Sequence, residues 1–185
     1  MLTDALLVSA IAVTLLIVVT LCAITDIREH RIPNAILLPA LLLAFVFNSF
    51  LAGLPGLLDS IQGLVLGFAM LFPIYFLGGT SAGDVKLLAV VGALFGPNGA
   101  LIVGVATLFF GGVLGVLFIA WRVIEPIVVA YIAQVVRSGE SMAPSLVRTS
   151  ARDRSWRSQF PYAPAIACGT YYTLWHLGYV GQVIG

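Results

Sequence analysis

Asp26 and Asp84 are the residues of this sequence best suited to chemistry. Asp26 directly closes an apolar run ending TLCAIT, and Asp84 opens another, in GGTSAGDVKLLAVVGALFG. A carboxylate at membrane depth costs about 2.5–3.5 kcal/mol on insertion scales, so it usually faces a protein interior or a watery site. Two carboxyl groups brought close together cannot both ionise readily, and one keeps a proton. Such a pair can hydrolyse a peptide bond: the ionised member takes a proton from a water held between them, and the protonated member polarises the scissile carbonyl. Each residue also has a structural reading. Asp84 could cap a helix N-terminus, and Asp26 could pair with Arg28 or Arg31. Gly78, Gly79 and Gly83 would let an extended substrate strand approach beside Asp84, or simply form a flexible interhelical loop.

Other reactive sets are missing from the pattern. Cys22 and Cys168 lie far apart within apolar runs, without a CxxC. With two histidines in different segments, they do not make the close four-ligand set of a structural zinc site. His176 sits among Trp175, Tyr172 and Tyr179, as an interfacial aromatic belt would have it, and His30 lies in a charged loop. No Ser-His-Asp set and no phosphate-binding loop is readable. Neither metal nor cofactor is expected.

The elements that must hold the two aspartates are membrane helices. Of the 185 residues, 61% are hydrophobic and 9% charged, and the mean hydropathy is +1.09. A soluble domain carries roughly 25% charged residues, so this chain has too little polar surface to dissolve. Nine lysines and arginines in all are too few for a nucleic-acid-binding face. A bilayer core about 30 Å thick needs roughly 20 apolar residues of helix. Six apolar segments fall between polar breaks: Ala5–Thr25, Ala35–Ala52, Ile61–Leu77, Val85–Phe95, Leu101–Trp121 and Phe160–Ile184. None alternates as a barrel strand would. The expected fold is therefore all-α, a polytopic transmembrane bundle of about six spans in one membrane domain covering residues 1–185. Val85–Phe95 is the short one, about 16 Å at helical rise.

All nine basic residues fall in alternate loops, after the first, third and fifth segments. The positive-inside rule puts those loops in the cytoplasm and both termini outside, with Asp26 and Asp84 at the cytoplasmic edge. A short Val85–Phe95 that failed to cross would break this pattern. Ile127–Val136 is apolar but ten residues long, which suggests an interfacial helix in the last cytoplasmic loop. Four arginines lie between Arg148 and Arg157, a charge density suited to anionic lipid.

Three stretches of this sequence resemble the type IV prepilin peptidases, membrane aspartyl proteases of the GxGD class. They are Asp26 with the following IREHRIPN, SAGDVKLL at 81–88, and FPYAPAIA at 160–167. The likeness covers nearly the whole chain and is closest to the short members attached to tight-adherence (Flp) pilus systems. The resemblance implies an enzyme of the bacterial inner membrane that cleaves the leader from a pilin precursor, after a glycine, at the cytoplasmic face. It also implies that Asp26 and Asp84 are catalytic, supported by Arg31, Pro33, Asn34, Ser81, Gly83 and Lys86. The first glycine of GxGD is Ser81 here, which demands more restricted backbone angles than glycine. Longer relatives carry a cysteine-bearing N-methyltransferase insert, for which the 25 residues before Asp26 leave no room, so a peptidase without methyl transfer is expected. A precursor with a basic leader and an apolar helix would lie with its scissile bond at the depth of the aspartates. Two other readings stand beside this one. A small proton-coupled transporter would place its carboxylates near the midplane and show paired halves. A noncatalytic pilus-assembly factor of the same fold would not cleave.

Overall fold

The computed structural model describes residues 2–29, 32–137 and 162–176. Five helices appear there and no strand: α1 (Leu2–Glu29), α2 (Asn34–Ala52), α3 (Leu54–Phe76), α4 (Ala82–Arg137) and α5 (Ala163–His176). Four are long and apolar enough to cross a membrane: α1 from Leu6, α2, α3, and α4 through Ile132. The all-α membrane bundle expected from composition is the fold observed. Contacts divide the chain into two compact units, Met1–Gly111 with Pro161–Gly185, and Gly112–Phe160.

In the first unit, α1 packs against α2 and α5, and α2 packs against α3. The buried side of α1 is a stripe through Ile11, Leu15, Val19 and Cys22, with Asp26 as its last member. Residues three or four apart share a helix face, so Asp26 points inward because the stripe above it does.

The first half of α4 is the centre of this unit. Val85 and Leu87 through Val91 are all buried, as are Ala93 and Leu94. The segment too short to span comfortably in lipid is thus enclosed by protein along most of its length, with Lys86 exposed and Phe95 half-buried. It ends at Gly96, whose φ of 73° and ψ of −176° break the helical path before α4 resumes. Glycine adopts that φ at little cost. The next residue, Pro97, has no N–H to give the carbonyl four residues back, that of Ala93. Two polar side chains supply the missing donors: Ser60 Oγ to Ala93 O at 2.7 Å and Asn48 Nδ2 to the same oxygen at 3.1 Å. A buried carbonyl left without a donor costs about 1–3 kcal/mol, so α2 and α3 are tied to the kink.

Packing of α3 on α4 depends on the absence of side chains. Gly63 and Gly67 face Gly92 and Leu88 so closely that a Cβ at Gly63, Gly67 or Gly92 would run into a backbone carbonyl of the other helix. Small residues four apart are the usual means of bringing membrane helices together.

The six expected segments map onto these elements with two adjustments. The fourth and fifth, Val85–Phe95 and Leu101–Trp121, are the two sides of the Gly96 break within α4. Ile127–Val136, expected as a separate interfacial helix, continues α4 to Arg137. Pro126 precedes it without ending the helix, and apolar residues such as Val116, Trp121, Ile127 and Tyr131 are exposed around it. A helix apolar on all sides suits lipid contact. The basic run from Arg148 to Arg157, and the end of the sixth segment, lie outside the described residues.

Gly92→Ala is expected to destabilise the protein by about 1–3 kcal/mol, because the new methyl meets a backbone oxygen that cannot turn aside. Gly112→Ala, with open space around it, should be neutral or stabilising. Reversible unfolding in mixed micelles measures both.

Candidate active site

Asp84 is held by the turn that starts α4. Helix α3 ends at Phe76, and Gly78 beyond it, with a φ of 77°, lets the chain reverse, its N–H on Tyr75 O at 2.9 Å and that of Gly79 on Ile74 O at 2.9 Å. The reversal brings Thr80 and Ser81 over the first turn of α4. There the Asp84 Oδ2 accepts Thr80 Oγ1 at 2.9 Å, Ser81 N–H at 3.0 Å and Ser81 Oγ at 2.7 Å. The Asp84 N–H in turn donates to Ser81 Oγ at 3.3 Å. This is a reciprocal cap of the S-x-x-D kind, and it satisfies donors that a helix start leaves open. Asp84 is 1% exposed, and its other oxygen, Oδ1, is buried with no hydrogen-bond partner among the described residues. Capping therefore occupies one carboxyl oxygen and leaves the second free.

Asp26 meets a different helix start. The Tyr162 carbonyl accepts the N–H groups of Ala165 and Ile166 at 3.0 and 3.2 Å, which opens α5. Pro164 in the first turn has no N–H, and the Ala163 N–H donates to Asp26 Oδ2 at 3.3 Å. A helix N-terminus carries partial positive charge and favours a carboxylate beside it. Asp26 itself is 5% exposed.

Tyr162 relates the two carboxyl groups. Its side chain is buried, with its hydroxyl seated on Gly111. Burial first, and the nearby Asp84 charge second, push its phenol above the ordinary tyrosine range. Consecutive residues 162 and 163 thus neighbour Asp84 and Asp26 respectively. The aspartates come from α1 and α4, 58 positions apart in sequence, and both border the head of α5.

The supporting residues fall in the same place. Pro33 stands immediately before α2 with φ −71° and ψ 129°, and Asn34 is the first residue of that helix. Lys86 Nζ donates to Asn34 Oδ1 at 3.3 Å. A Cβ added at Gly83 would lie 3.1 Å from Ile32 Cβ, so the loop after α1 rests directly on the start of α4. Ile32 and Asn34 of the first motif therefore meet Gly83 and Lys86 of the second. Arg31 lies outside the described residues. Sequence reasoning singled out neither Thr80, whose hydroxyl reaches Asp84, nor Tyr162 and Ala163. A proline-flanked helix start in FPYAP was their signal, since it leaves N–H donors in search of a carboxylate.

Residues 13–116, more than half the chain, match the type IV leader peptidase family. The chain belongs to that family. A Prepilin leader peptidase/N-methyltransferase of Pseudomonas putida is 36% identical over 78 residues, covering 38% of this chain and 27% of that protein. The match thus spans about a quarter of the relative's length. No solved structure matches. Both aspartates of this leader-peptidase family member, and every residue of its two leading motifs, lie inside the matched range. Tyr162 and Ala163 lie beyond it.

Two outcomes test this geometry. In a Cys22→Ala, Cys168→Ala background, Ile32→Cys with Gly83→Cys should form a disulfide under mild oxidation after a few tenths of an ångström of adjustment. Gel mobility before and after reduction detects it, and failure to bridge would part the two motifs. In Asp84→Asn, removal of the charge should lower the pH at which Tyr162 deprotonates. It should remain above the ordinary value near 10, because burial is the larger cause. An ultraviolet difference titration against Tyr162→Phe reads that shift.

Proposed function

We propose that this protein is a membrane-embedded aspartyl endopeptidase that removes the leader peptide from prepilins of the type IV, Flp class. In this reading it works at the cytoplasmic face of the bacterial inner membrane, with Asp26 and Asp84 as the catalytic pair. The observation that carries it is that two buried carboxyl groups, from helices distant in sequence, each border the start of α5, Asp84 near Tyr162 and Asp26 bonded to Ala163. The family match and the name of the Pseudomonas relative support prepilin as the substrate. The second activity in that relative's name is no part of the proposal for this chain.

The chemistry follows from a shared proton. A water between the carboxyl groups gives one hydrogen to the ionised member as its oxygen attacks the scissile carbonyl carbon. The protonated member donates a hydrogen bond to the carbonyl oxygen, which carries the developing negative charge. Collapse of the tetrahedral intermediate breaks the C–N bond, and the leaving amine takes a proton back from the pair. The helix starts of α4 and α5 favour negative charge at the same place, which lowers the cost of ionising one carboxyl away from water. Cleavage after a glycine suits this site, because glycine weakens helix and leaves backbone open to attack. Lys86 and Asn34 would hold the loop after α1 against α4, keeping the two aspartates in register. Anionic lipid would engage the basic loop after α4.

The purified protein in detergent is expected to cleave a prepilin with a single amino-terminal leader, read by mass of the product. Asp26→Asn and Asp84→Asn should each lower the rate by about a hundred- to ten-thousandfold while helix content by circular dichroism is unchanged. A variant that keeps a tenth of the activity would remove its residue from the mechanism.

A further inference from the structure

The hydrogen bonds at Asp84 are distributed unequally. Three donors, Thr80 Oγ1 at 2.9 Å, Ser81 N–H at 3.0 Å and Ser81 Oγ at 2.7 Å, converge on Oδ2. A carboxylate oxygen has about two lone-pair sites, so Oδ2 is filled. The Ser81 hydroxyl also accepts the Asp84 N–H at 3.3 Å, which turns its own hydrogen toward the carboxyl. Oδ1 is buried and receives no donor among the described residues.

We propose that Thr80 and Ser81 are positioning residues that commit Asp84 to react through Oδ1 alone. The inference rests on the proteolytic reading of the site and specifies how one of its two acids is presented. A proton on Oδ2 would point at groups already donating there, so any proton Asp84 gains or gives up is carried on Oδ1. The carboxyl is also clamped in one rotamer, with its unoccupied oxygen fixed in direction before a substrate arrives. Preorganisation of this kind removes a reorientation step from the barrier.

Glycine, the residue that the family motif has at position 81, would supply the N–H alone. The Ser81 hydroxyl is therefore an additional control on the acid. Among the described residues, the titratable groups near it are Tyr162 at the head of α5 and Lys86, whose Nζ is directed to Asn34; Asp26 on α1, one turn after Cys22, is bonded to Ala163 beside Tyr162.

The test uses the full chain in micelles with Ser81→Gly, Thr80→Val and Ser81→Thr. Two quantities are read: the pH profile of kcat/KM on a prepilin, and the pH midpoint of the Asp84 carboxyl infrared band, assigned by its loss in Asp84→Asn. Ser81→Gly and Thr80→Val should each displace the acid limb and the infrared midpoint from their wild-type positions, with KM within twofold of wild type. Ser81→Thr, which restores a hydroxyl, should return both toward wild type. A midpoint unmoved in both Ser81→Gly and Thr80→Val overturns the proposal, whether or not the protein cleaves. Movement of the midpoint in a wild-type background that leaves prepilin intact counts against the proteolytic reading and still supports the positioning of Asp84.

Discussion

A carboxyl group sealed from solvent must find its hydrogen bonds within the protein, and the bundle is arranged around that requirement at two places. Asp84 satisfies it with the turn it belongs to, through the hydroxyls of Thr80 and Ser81 and one backbone N–H. Asp26 satisfies it in part with the start of another helix, through Ala163. The three donors to Asp84 carry no charge, and Lys86 two residues on goes to Asn34 instead. Neutral donors and helix ends hold an acid in place without locking it in a salt bridge, which would oppose its taking up a proton. Held in this way, Asp84 suits the acid–base role proposed for it.

The apolar bundle and its segments were legible because lipid imposes a length and a composition that any reader of the chain can count. The two aspartates stood out for the same reason, as costly residues in apolar surroundings. What could not be read was direction. Helix α1 is apolar on all sides, so no periodicity distinguishes the buried stripe of Leu15, Val19 and Cys22 from its lipid-facing residues. That Asp26 continues the stripe becomes visible only once α5 is laid against it. Val85–Phe95 looked weak because a minimum span length presumes lipid as the neighbour, whereas protein surrounds most of it. Ile127–Val136 reads as a helix of its own because it is short, yet it continues α4, and Pro126 before it does not force the helix to stop.

Ser81 illustrates a different kind of limit. Its side chain was weighed for the backbone angles it restricts, and the left-handed glycine of the loop proves to be Gly78, three residues earlier. The property that matters at position 81 is the hydroxyl, and its reach to Asp84 depends on how the loop from Gly78 folds back. Tyr162 and Ala163 were likewise noticed as part of a resembling stretch, without a role. Their contribution is a backbone N–H and a buried ring at a helix start, neither of which is a motif of side-chain types.

The tie of Ala93 to Ser60 and Asn48 reaches further than the kink it stabilises. Nine residues separate that carbonyl from Asp84, about 14 Å along the axis. The same short rod is therefore moored at its far end to two neighbouring helices and capped at its near end by its own turn. It cannot slide like a piston, so the acid sits at a set height within the bundle. If the protein cleaves as proposed, a chain presented to it would have to bring the bond to that level, which would make the depth of the target's own break in helix a yardstick for admission.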